Sequence, residues 1–182
     1  MATNIIYPKP LPKLVKQNIP LETGFTSTEI VALQNGWHLI KRRLYYHSTK
    51  IFMDFFSEHY LLLERFRNVE IGKFNLSNLH QHPGQLMNIY GRLIESGLND
   101  VAFINMLLSD VGQRHKLYEV TYDDVKLLTD HIQLYVIEFL DKIKSITFVN
   151  GLTKLSELIN EHHREKAEDE KQTARTQSDD AD

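Results

Sequence analysis

The chain contains no cysteine. Disulfides, thiolate metal sites and thiol chemistry are therefore excluded, and the redox compartment is left open. Proline is nearly confined to the N-terminus: Pro8, Pro10, Pro12 and Pro20 lie there, and Pro83 stands alone in the interior. No run of about 18 apolar residues occurs, so no segment is expected to span a membrane. A basic excess is also missing. Twenty-one Lys and Arg face 24 Asp and Glu, for a net charge of −3, which argues against a nucleic-acid partner. No strand-like alternation and no internal repeat compete with helical spacing. The first residues lack the apolar core of a signal peptide, and residue two is alanine, which removes N-myristoylation. A cytoplasmic address is the expectation.

What is present is an ordinary globular composition over 182 residues, with 42% hydrophobic and 25% charged residues. That is enough for one domain with a substantial core plus tails. Residues 1–25 read as an irregular Pro-rich arm, with Lys9, Lys13 and Lys16 among the prolines. The domain is expected over 26–163. Residues 164–182, REKAEDEKQTARTQSDDAD, read as a solvated helix end running into a charged, disordered tail with too little apolar surface to offset the entropy of ordering.

Within the domain the apolar residues recur at three and four, the helical period. Thr26 and Glu29 form a predicted capping box ahead of Ile30, Leu33, Trp37, Ile40 and Leu44. The basic run Lys41-Arg42-Arg43 reads as a solvated face. A second run covers Ser48 to about Glu58 and carries Ile51, Phe52, Phe55 and Phe56; His59 to Phe66 continues it without a proline or glycine. Arg67 to Leu76, with Gly72 and Asn75, reads as a loop. Ser77 or Asn78 is a candidate cap for the next helix. After Gly97, Asn99 and Asp100 mark a turn, another helix ends near His115. Thr121 is a predicted cap for a face running from Val125 through Leu128, Ile132, Tyr135, Val136, Phe139 and Leu140 to Ile143. A final helix carries Phe148, Val149, Leu152, Leu155, Leu158 and Ile159. Gly151 inside it costs about 1 kcal/mol in propensity or marks a close contact. The fold class is all-α, with six to eight helices.

Two histidines interrupt the apolar stripes. His82 lies with Leu79, Leu86, Ile89, Tyr90 and Leu93; His115 lies with Ile104, Leu107, Leu108 and Val111. A lone histidine on such a stripe is ordinarily a satisfied core residue. Two on successive helices of an all-helical chain call for a joint explanation, and a metal cofactor held between the helices is one. His80 falls about 200° around the helix from His82 and is expected at the surface. His131 reads as a packing or surface residue.

With those residues in view, the stretch from about Thr26 to His163 resembles the globin family, closest to its neuroglobin-like and invertebrate members. Trp37 matches the tryptophan usual in the first helix. FMDFFSEHYLLLERF, Phe52 to Phe66, is similar to the second helix and the short turn after it, with Phe66 at the phenylalanine that packs on haem. His82, followed by Met87, matches the distal histidine helix. DVGQRHK, Asp110 to Lys116, resembles the proximal signature, with Val111 where leucine is common. The resemblance implies a globin fold around a haem b pocket. It places His115 as proximal ligand and His82 either hydrogen-bonding a gas on the iron or ligating it. Phe52, Phe66, Leu86, Ile89 and Val111 would form the dry shell. The second nitrogen of His115 would need an acceptor, most simply a carbonyl of its own helix. The chain departs from the family at Pro83, beside the distal histidine, at Tyr60 in place of a proline, at Phe52 above the iron, and at Gln85 where a basic residue is common.

The implied function is reversible binding of oxygen, carbon monoxide or nitric oxide, or electron transfer. A nitric oxide dioxygenase, nitrite reductase or weak peroxidase would require an external reductase, since no flavin motif is present. A haem-free helical interaction module that kept the fold is the remaining reading.

Overall fold

Thr26 starts the first helix as its spacing to Glu29 predicts. The Glu29 amide donates to Thr26 Oγ1 at 3.2 Å and the Thr26 amide donates to Glu29 Oε2 at 2.8 Å, satisfying two backbone donors reciprocally. The computed structural model describes residues 19–67 and 76–179. In order these form α1 (Ser27–Lys41), α2 (Leu44–Glu58), a 3-10 helix (Tyr60–Phe66), α3 (Leu76–Arg92), a π-helical turn (Leu93–Gly97), α4 (Val101–Lys116), α5 (Tyr122–Phe139) and α6 (Ile146–Asp179). No β-strand occurs among the described residues, so the chain is all-α. No described helix is long and apolar enough to cross a membrane.

The core is assembled from the predicted stripes. Leu33, Trp37 and Ile40 of α1, Ile51, Phe52 and Phe55 of α2, Leu107 and Leu108 of α4, Ile132 and Val136 of α5, and Leu152 and Leu155 of α6 are all buried. Three glycines let helices approach closely. A Cβ on Gly36 would lie 2.3 Å from the Phe148 ring, one on Gly151 would lie 3.1 Å from Leu33, and one on Gly91 would lie 2.9 Å from Trp37. Gly151 therefore marks a close contact, and α1 is wedged between α6 and α3.

Several boundaries differ from the sequence reading. Phe25 is buried, Thr23 Oγ1 donates to the Leu98 carbonyl at 2.6 Å, and Lys154 Nζ donates to the Gly24 carbonyl at 3.1 Å. Packing thus begins before residue 26; the arm through residue 18 lies outside the described residues. Leu44 opens α2 instead of closing α1, because the chain turns at Arg42 and Arg43. At His59 the backbone leaves helical values, with φ −122° and ψ 48°, so α2 ends at Glu58 although neither proline nor glycine stands there. The helix expected to be capped by Ser77 or Asn78 begins at Leu76, which puts both in its first turn. The loop reading with Gly72 and Asn75 falls outside the described residues. Pro83 lies inside α3, where it denies the Leu79 carbonyl its usual donor. The face read through Ile143 outlasts α5, and Ile143 is exposed. α6 continues to Asp179, through the stretch read as a solvated helix end leading into a tail; Glu, Lys, Ala, Gln and Arg, which dominate that stretch of the sequence, have high helix propensity.

Candidate functional site

The phenylalanines of α2 and the middle of α3 diverge around a cavity of about 590 Å³, closed on its other sides by α4, α5 and α6. Its size falls within the roughly 300–1,000 Å³ of small-molecule and cofactor sites. All seven residues singled out from the sequence line it: Phe52, Phe66, His82, Leu86, Ile89, Val111 and His115. They come from α2, the 3-10 helix, α3 and α4, so residues separated by up to 63 positions meet only through the fold.

His82 is held by two aromatic edges. The rings of Phe52 and Phe66 lie 5.5 and 5.2 Å from its own, at interplanar angles of 68° and 76°. These T-shaped contacts fix the imidazole without offering it a hydrogen bond. Across the cavity the ring of His115 lies 6.1 Å from that of His82, tilted by 51°. Burial holds the His82 imidazolium below the usual histidine range. Burial, and then the neighbouring His163 and His82, push His115 down to about 4. Both rings are therefore neutral near pH 7, the form in which imidazole ligates a metal.

Nδ1 of His115 is buried and has no hydrogen-bond partner among the described residues. The expectation that a carbonyl of its own helix would accept from it is not met. His115 stands in the last turn of α4, with its ring neighbouring those of His82 and His163.

The polar edge of the cavity includes Arg65, Gln85, Arg92 and Arg114. Arg65 pairs with Asp124 at 3.3 Å and Arg114 with Asp110 at 2.9 Å. Arg92 lies over the Phe103 ring at 5.5 Å. His80 is exposed, as expected, and His131 packs its ring 5.6 Å from Phe55.

The sequence reading missed two histidines. His163 lines the cavity 5.7 Å from His115. Its signal was its place in the series Leu152, Ser156, Ile159, His163 at helical spacing, obscured by the charged residues that begin immediately after it. His47 is buried and its Nδ1 lies 2.7 Å from the Tyr135 hydroxyl; it precedes Ile51 and Phe55 by four and eight positions on the same face. This second histidine ties α2 to α5 outside the cavity.

No protein-family model matches the chain, and no curated protein matches it as a relative.

Proposed function

We propose that the chain is a haem-binding globin, with one b-type haem in the cavity and His115 and His82 as its two axial imidazoles. The observation that carries this reading is the 6.1 Å between the two ring centroids. Two imidazoles on one metal, each bonded at about 2.0 Å through a nitrogen about 1.1 Å from the ring centre, have centroids about 6.2 Å apart. That spacing supports a metal held between the two rings.

Bound haem supplies an iron centre that takes diatomic gases or carries an electron. Phe52, Phe66, Leu86, Ile89 and Val111, which line the cavity, would keep water from that centre. With haem bound, His82 would have to give way before oxygen, carbon monoxide or nitric oxide could enter, and the observed affinity would be lowered by the fraction of time the pocket stands open. The absence of cysteine excludes thioether attachment, and acid–ketone extraction is expected to remove all of the haem. Slow, gated gas binding or electron transfer is the role proposed; catalytic turnover would require an external reductase.

Absorption spectra of the purified ferric, ferrous and carbon monoxide forms test the reading. Sharp, split visible bands are expected in the ferrous form. His82→Leu is expected to give a broad five-coordinate band and faster carbon monoxide binding. His115→Ala is expected to lose most of its haem unless free imidazole is added. A broad single band in the unaltered ferrous protein rejects the bis-histidine state. A chain that takes up no haem rejects the globin reading in favour of the haem-free module.

A further inference from the structure

We propose, on the basis of the haem reading above, that His163 of α6 is the hydrogen-bond acceptor for Nδ1–H of His115 and so orients and tunes the imidazole that holds the metal. Three observations converge on this pair. First, the two rings lie 5.7 Å apart at 39°, and both line the cavity. An N–H···N bond with nitrogens about 3.0 Å apart brings imidazole centroids to about 5.2 Å, so these centroids stand about half an ångström farther apart than a direct bond would set them.

Second, the tautomers are complementary. Nδ1 of His163 lies 2.9 Å from the Ile159 carbonyl. A carbonyl only accepts, so Nδ1 of His163 carries the proton and Nε2 of the neutral ring is an acceptor. If His115 ligates through Nε2, its own proton must sit on Nδ1, the nitrogen that is buried without a partner among the described residues. Ligation at His115 would thus create a donor on a ring that neighbours the acceptor on His163.

Third, the acceptor is held in place. Ile159 and His163 are one helical turn apart, so the carbonyl bond fixes the His163 ring to its own helix. Beside it, Ser109 Oγ of α4 lies 3.4 Å from His162 Nε2, which ties the two helices together at this level.

An acceptor on the outer nitrogen makes the ligating imidazole a stronger electron donor and locks its tautomer. His163 is therefore a positioning residue: it acts on the metal only through His115. Its loss should weaken haem retention and soften the iron–imidazole bond.

The test compares His163→Leu with His163→Gln, whose amide oxygen can still accept. Resonance Raman spectra of the ferrous haem protein, recorded in a His82→Leu background so that His115 is the sole axial imidazole, report the iron–imidazole stretch. The stretch is expected to fall in the leucine variant and to return toward the native frequency in the glutamine variant. Haem transfer to a scavenger apoprotein should quicken about tenfold or more with leucine, the usual scale for losing a partner of a metal-bound histidine. His163→Phe keeps a planar ring without an acceptor and serves if leucine folds poorly. An unchanged stretch in leucine and phenylalanine variants that retain haem overturns this proposal and leaves the haem reading standing. Failure of the unaltered chain to bind haem overturns both.

Discussion

The three close helix approaches allow one chemical change, glycine to alanine, to be placed in sites that differ only in packing. In an open helix the change stabilises by about 1 kcal/mol, because alanine loses less backbone entropy on folding. Gly84 of α3 has no atom within 4 Å of a built Cβ, so Gly84→Ala should realise that gain. At Gly36 the same Cβ would stand 2.3 Å from the ring of Phe148, which is 5% exposed. Carbon atoms pack at about 3.5–4.0 Å, so the ring or the α1–α6 contact must shift by more than about 1 Å. Overpacking of this kind costs about 1–3 kcal/mol. Taking the upper half of that range less the propensity gain, Gly36→Ala should destabilise by about 1–2 kcal/mol. In a chain of this length the two variants should move Tm by about +2 to +4 °C and about −2 to −8 °C. Gly151→Ala, at 3.1 Å from Leu33, should fall between them. Thermal unfolding followed by circular dichroism, with urea titration as a second measure, gives all three values. If Gly36→Ala equals or exceeds Gly84→Ala in stability, α1 and α6 do not cross at the distance described, and the wall that carries Trp37 against α3 is misplaced.

The haem-free chain should lose stability as the pH falls. His115 titrates near 4 in the folded state against an ordinary value of 6.5, so between those values the unfolded chain binds more protons. Stability is then fully present above 6.5 and is lost as the pH falls toward 4, by about 3 kcal/mol for this group. Burial lowers His82 in the same direction, and burial followed by the Arg43 charge lowers His47. Urea midpoints measured across that range for the native chain and His115→Leu should diverge; parallel curves would show that His115 is not desolvated. Tyr135→Phe should cost about 1–3 kcal/mol, since it leaves the buried His47 Nδ1 without its hydroxyl partner, and an unchanged Tm would mean that the α2–α5 tie contributes nothing.

Much of the fold was legible because it depends on short-range chemistry. Thr26 with Glu29 and Thr121 with Asp124 cap their helices as read, since a cap needs only residues three apart. The stripes through Trp37, Ile132 and Leu155 are core for the same local reason: a period of three and four leaves one face apolar. The seven cavity residues could be selected because an imidazole on such a stripe breaks the pattern, and the resemblance supplied the phenylalanines.

The tertiary structure decided what depends on neighbours distant in the chain. α2 ends at His59 with no local breaker, and Pro83 is carried within α3, because packing outweighs propensities of a few kcal/mol. His163 joins the cavity because the α4–α6 contact brings it to His115, a contact to which its charged sequence neighbours give no clue. The sequence by itself determined an all-helical chain, its caps, its core stripes and two histidines in unusual places. Only the folded chain set those two rings 6.1 Å apart, since a through-space distance between α3 and α4 is fixed by side-chain packing across several helices and not by any spacing along one.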